Sequence, residues 1–226
     1  MIFGPDILAG PAAALILAST QMSCKVTEAP AITMKVITDD IHYDYTRSAA
    51  DLTRVQTDTI NPFPKGSDSV TGGLREDHPT ILSEMQWSVR YSDRGPACMF
   101  FKTIDVTIHL KPTIYLAREF NQGQCRDAVL GHERQHIKVD REVMNKYAAI
   151  VGAGLQHTVN SVGALGPFDI KNKDAVKAQA SGYVKKTLDV YEKQMAAELR
   201  QRQQAVDNID EYKRIGTFCR EIKVKK

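Results

Sequence analysis

The chain has 226 residues, 42% apolar and 25% charged, with a net charge of +3. That length fits one domain of ordinary size or two small ones, and the composition allows a packed core and argues against global disorder. So small a net charge does not support nucleic acid or an anionic membrane as the main partner.

Ile7 to Ala18 is the longest apolar stretch. It is too short to cross a bilayer as a helix and has the length of the apolar part of a secretory signal. No Lys or Arg precedes it, Asp6 is acidic, and Ala18 and Thr20 make only a rough cleavage site. Residues 1–24 are therefore read as a signal or an anchor, with a buried N-terminal segment as the alternative. Ser23-Cys24 has the form of a lipoprotein signal end, although Gln21 stands where an aliphatic residue is expected. Export, to the periplasm or the medium, is the expected localisation, with no stable membrane span.

In residues 31–45, Ile41, Tyr43 and Tyr45 alternate with His42 and Asp44, the period of a strand. Ser48 is placed to cap a short helix over roughly 49–57. Residues 59–79, rich in Pro, Gly, Ser and Asp, read as an irregular connection. Residues 81–92 put Met85, Trp87, Val89 and Tyr91 on one face of a strand, and 98–110 do the same with Ile104, Val106, Ile108 and Leu110. The turn Asp93-Arg94-Gly95-Pro96 makes them a hairpin, which Pro112 ends.

The period then becomes helical. Asn121 and Gln124 have capping-box spacing, and Cys125, Val129, His132, His136, Val139, Val143, Tyr147 and Ile150 recur at steps of three and four. Gly152 and Gly154 are expected to stop this helix. A second helical region, about 173–214, carries Val176, Val184, Leu188, Tyr191, Met195, Leu199, Val206 and Ile209. One straight helix of that length would reach about 60 Å, so a break is expected near Gly182 or Asn208. Strands followed by helices indicate an α+β domain over 30–226, with an antiparallel sheet in 31–112 and helices in 121–216.

The residues that carry chemistry are His132-Glu133-Arg134-Gln135-His136. Side chains four apart on a helix share a face, so His132 and His136 can chelate one zinc ion. Glu133 lies about 100° round the helix, where its carboxylate can act as general base on a metal-bound water. The competing reading is a pair of core histidines, each of which would need its own polar partner.

A catalytic zinc needs a third protein ligand. Asp140 is about 12 Å along the axis from His132, too far to share its metal, and suits a supporting role orienting His136, or an ion pair with Lys138 or Arg141. The third ligand is left between His157, if the chain reverses at Gly152-Gly154, and Asp210, with Glu192 and Glu198 less favoured. Four cysteines, Cys24, Cys98, Cys125 and Cys219, form no CxxC pair. In an exported protein Cys98 and Cys125 are the pairing favoured for a disulfide, against buried thiols.

Four segments carry a resemblance to a known family. They are His42-Tyr43-Asp44-Tyr45 before Ala50-Asp51-Leu52, then Gln86-Trp87-Ser88-Val89-Arg90-Tyr91, the Cys98 strand ending Leu110-Lys111-Pro112, and Leu130-Gly131-His132-Glu133-Arg134-Gln135-His136. Over roughly residues 36–150 the chain resembles a bacterial family of unknown function described as predicted secreted zinc-dependent proteases. That family often ends in a Tyr-Asp…Thr-x-His-Gly segment. Here Ile209-Asp210-Glu211-Tyr212-Lys213-Arg214-Ile215-Gly216 matches it only at Asp210 and Gly216. The resemblance implies export and peptidase activity. The expectation is thus a zincin-like, zinc-dependent metallopeptidase acting on a peptide or protein. The alternative is a non-catalytic exported module with a structural zinc.

Overall fold

The computed structural model describes residues 23–26, 28–57, 59–64, 69–92, 95–220 and 222. The apolar stretch expected to be a signal lies outside the described residues, as do Asp93 and Arg94 of the expected turn. The elements are β1 (Ala31–Thr38), β2 (His42–Asp44), α1 (Ala49–Thr53), β3 (Gly73–Glu76), β4 (Thr80–Tyr91), β5 (Pro96–Leu110), β6 (Thr113–Leu116), α2 (Gly123–Val162), β7 (Leu165–Asp169), α3 (Lys173–Val206) and α4 (Ile209–Phe218). The α+β class holds. No helix among the described residues is long and apolar enough to cross a membrane.

The hairpin stands where alternation placed it: β4 pairs antiparallel with β5, and Ile104, Val106, Ile108 and Leu110 are all buried. The sheet is not the purely antiparallel one expected. β1 joins the other edge of β5 in parallel, Ala31 opposite Thr103, and β7 adds a short antiparallel contact near Pro96. A second sheet has the order β2-β6-β3, its β2–β6 pair parallel and its β3–β6 pair antiparallel. The single strand expected over 31–45 is split because the chain changes sheets at Asp39-Asp40, where Asp39 N–H bonds Leu110 O at 3.0 Å. β3 arises inside the expected irregular connection, and β6 just after Pro112. Each is four residues long, too short to show a period.

Ser48 caps α1 as expected: its hydroxyl accepts from Asp51 N–H while Asp51 reaches back to Ser48 N–H. Asn121 and Gln124 form no capping box. A short 3-10 turn over Arg118–Phe120 takes up Asn121, and Gln122 becomes the N-cap without a side-chain bond. Gly152 and Gly154 do not stop α2, which runs on to Val162. A Cβ at Gly154 would come within 2.2 Å of the Tyr191 ring on α3, and one at Gly152 within 3.2 Å of Met34 on β1. These glycines allow close approach to neighbours, and Gly163 at φ +61° ends the helix instead.

α2 and α3 run antiparallel side by side, as the cross-helix contacts Lys146–Glu198 (2.6 Å) and Thr158–Thr187 (2.8 Å) record. The far half of α2, with Val151, Leu155 and Val159, packs with Val184 and Leu188 of α3 against Ile104 and Val106 of β5. Its near half, with Val129, Leu130, Ile137, Val143 and Met144, packs on Leu110, Ile114 and Leu116 and on Leu74 of β3. The break in the C-terminal helical region falls at Asp207–Asn208, one of the two places expected, and Asn208 Oδ1 caps α4 through Glu211 N–H.

The expected Cys98–Cys125 disulfide is overturned. The bonds are Cys24–Cys98 and Cys125–Cys219. β5 carries the chain about 40 Å from Cys98 before α2 begins, which leaves Cys125 beyond its reach.

Candidate metal centre

Four ionisable side chains lie buried on three successive turns of α2: His132, Glu133, His136 and Asp140, each 6% exposed or less. Burying such groups is costly unless each has partners. The partners come from the end of α3 and from β3.

His132 and His136 point the same way, their Nε2 atoms 3.3 Å apart and their rings nearly perpendicular. Asp207, the first residue past α3, sets its Oδ1 3.1 Å from His132 Nε2 and 3.2 Å from His136 Nε2. The Tyr212 hydroxyl of α4 donates to the same oxygen at 2.9 Å. Burial alone would raise the Asp207 carboxyl. Its bonds to His132 and His136 outweigh that and hold it far below the ordinary carboxylate range. Burial would lower the His136 imidazole, but Asp207 and Glu133 raise it. Burial, then the neighbouring Asp207 charge, pushes the Tyr212 phenol well up, so it stays a donor.

The third member of the cluster is therefore Asp207, and neither of the expected candidates. Asp210 is exposed on the first turn of α4. His157 is exposed on the unbroken α2, about 30 Å along the axis from His136, because the chain does not reverse at Gly152-Gly154. Glu198 pairs with Lys146 and Glu192 is exposed.

Asp140 reaches His136 through Gln203, a residue that sequence reasoning missed. Gln203 Oε1 accepts from His136 Nδ1 at 2.5 Å, while its Nε2 donates to Asp140 Oδ1 at 2.7 Å and to His136 O at 3.1 Å. Asp140 pairs with Arg75 of β3 at 3.1 Å, and not with Lys138 or Arg141, and Arg75 also bonds Asp77. Burial raises the Asp140 carboxyl to about 6 against the opposing pull of Arg75. A signal for Gln203 and Asp207 was present in the sequence. Met195 and Leu199 of the α3 stripe are followed at steps of four by the polar residues Gln203 and, just past the helix end, Asp207.

Glu133 sits beside the cluster and is 5% exposed. Burial raises its carboxyl, with His132 and His136 opposing. β3 passes so close that a Cβ at Gly73 would lie 2.8 Å from Glu133 Oε1 and 2.6 Å from Val129 Cγ1. His132, Glu133, His136, Asp207 and Tyr212 line one cavity of about 500 Å³. Its other walls are β3, Phe120, and part of the connection before β3, including Phe63 and Val70. That connection is fastened to α3 beside Asp207 by paired bonds between Ile60 and the Gln204 amide, at 2.7 and 3.1 Å.

The donor set fits a metal ion. Two imidazole nitrogens and a carboxylate oxygen converge within 3.1–3.3 Å, and they cannot satisfy one another without a proton or a cation among them. Among the described residues, His132, His136 and Asp207 are the group whose ligand atoms gather in this way, all within 4.8 Å. Glu211 Oε1 stands 3.6 Å from His132 Nδ1, on the outer side of the ring. Nitrogen and oxygen donors in this ratio suit zinc, with other first-row divalent ions as competitors.

No family model, no curated protein and no solved structure matches the chain.

Proposed function

We propose that the chain is a zinc-dependent hydrolase of zincin-like design, an exported metallopeptidase acting on peptide or protein. The observation that carries this reading is the meeting of His132 Nε2, His136 Nε2 and Asp207 Oδ1 within 3.1–3.3 Å at the wall of a cavity that Glu133 also lines. Zinc in a three-ligand site polarises a carbonyl and acidifies a bound water to a pKa of about 7.

The chain's own residues supply the rest. His132, His136 and Asp207 would hold the ion. Glu133, on the flank of the same helix face, takes a proton from water and passes it to the leaving amine. Its raised carboxyl brings its proton affinity closer to that task. Gly73 keeps β3, an edge strand of its sheet among the described residues, pressed against Glu133, and an extended peptide beside such an edge would pass the proton acceptor.

A structural zinc module is the alternative. It calls for four protein donors and a closed site, whereas three donors and an adjoining cavity support catalysis. Two disulfides suit an oxidising compartment, in keeping with export. The test is Glu133→Gln. The variant should still bind about one zinc per chain, as the parent does, while hydrolysis of a peptide library is lost. Unchanged turnover in that variant would remove Glu133 from the mechanism.

A further inference from the structure

We propose that Gln203 is a positioning residue that fixes a proton of His136 on Nδ1 and so makes Nε2 the nitrogen free to ligate beside His132 and Asp207. The inference rests on the zinc reading above and names how one ligand is kept competent.

A neutral imidazole carries one proton, and the nitrogen without it is the one that can ligate a metal. Which nitrogen that is depends on the partner of the other. The partner of His136 Nδ1 is the amide of Gln203, and an amide can present either an acceptor or a donor. Here the choice is made by the second side of that amide. Its nitrogen meets Asp140 Oδ1 at 2.7 Å and the backbone oxygen of His136 at 3.1 Å, two groups that accept. Turning the amide over would set its oxygen against both.

Arg75 forms an ion pair with the other oxygen of Asp140 at 3.1 Å, which favours the charged, accepting carboxylate, and Arg75 is anchored a second time by Asp77. The order of information therefore runs Arg75, Asp140, Gln203, His136. A guanidinium can only donate, so a fixed charge on β3 determines the tautomer of a ring on α2. All four side chains are 12% exposed or less, so water does not compete for these bonds. The spacing of Gln203 and Asp207 on α3 mirrors that of His132 and His136 on α2. One helix supplies the two rings, and the other supplies the orienter of one ring and the third donor.

The direct test reads the tautomer in the metal-free protein, by long-range proton–nitrogen correlation over a pH series, at the upper plateau where the ring carries a single proton. His136 is expected to carry a proton on Nδ1, and a ring protonated at Nε2 alone overturns the proposal. In Gln203→Leu the ring should lose this preference and zinc affinity should fall about 10–100-fold. The double variant Gln203→Glu with Asp140→Asn exchanges amide and carboxylate and keeps an acceptor at Nδ1, and should recover part of the loss, held below the parent by the carboxylate oxygen set against His136 O. Zinc affinity unchanged in Gln203→Leu, with its apo fold intact by circular dichroism, refutes the positioning role. A parent protein with the Nδ1–H form that nevertheless binds no zinc supports the tautomer assignment and refutes the hydrolase reading instead.

Discussion

Replacing Asp207 by Asn separates the observed cluster from the candidates that the sequence alone suggests. The substitution keeps the size of the side chain and removes the charge from an oxygen that meets His132, His136 and Tyr212 within 3.2 Å. Zinc bound by four protein donors contributes about 10–16 kcal/mol at neutral pH, or roughly 2.5–4 kcal/mol for each donor. Losing one ionised donor of three should therefore weaken zinc binding by about 10²–10³-fold. Asp210→Asn, three residues on and exposed, should change it by no more than about 0.5 kcal/mol, roughly twofold. The assay is competition with a chromophoric chelator at neutral pH, run beside thermal melts of the metal-free proteins so that misfolding is seen separately. An unaltered affinity in Asp207→Asn, or an equal fall in Asp210→Asn, refutes the assignment of the third donor.

Further expectations concern the surroundings of the cluster. Burial raises the Asp140 carboxyl to about 6 from an ordinary 3.8, so the folded state keeps a proton that the unfolded chain gives up. Its contribution is fully present below about pH 4 and lost as pH rises through about 6, a change of about 3 kcal/mol. The stability difference between the metal-free parent and Asp140→Asn, from denaturant melts at several pH values, should trace that loss, and a flat difference contradicts it. Gly73→Ala drives a methyl into Val129 and Glu133 and should cost about 1–3 kcal/mol of stability. Peptide turnover should fall further than zinc content, and full activity would show that Glu133 is not held by β3. Cys125→Ser with Cys219→Ser opens the bond between the start of α2 and the end of α4 and should cost about 2–5 kcal/mol. The melting midpoint should drop accordingly, and a midpoint unchanged by the double substitution would show that α4 is held by other contacts.

What could be read from the sequence was whatever repeats. The β4–β5 hairpin and the near half of α2 carry long regular patterns, and these fixed the orientation of His132, Glu133 and His136 correctly. The residues missed are those whose role depends on contacts distant in sequence. Arg75 lies in a four-residue strand, and Gln203 and Asp207 approach α2 only because α2 continues through two glycines. A glycine is ambiguous on paper, because it ends helices and also lets neighbours approach closely. Tyr191 against Gly154 decides for the second. The same ambiguity misplaced His157, since a helix that stops at Gly152 would have returned it towards the motif. The Cys98–Cys125 pairing failed for want of the sheet geometry, which sends the two residues to opposite ends of β5.

The long α2–α3 hairpin also constrains how this chain can vary. Sliding α3 by one residue against α2 would move Asp207 about 1.5 Å along the axis and swing it about 100° away from the imidazoles. The cluster therefore acts as a gauge of alignment between the two helices, and a bound ion would select the single alignment in which it fits. An insertion in one arm has to be matched in the other.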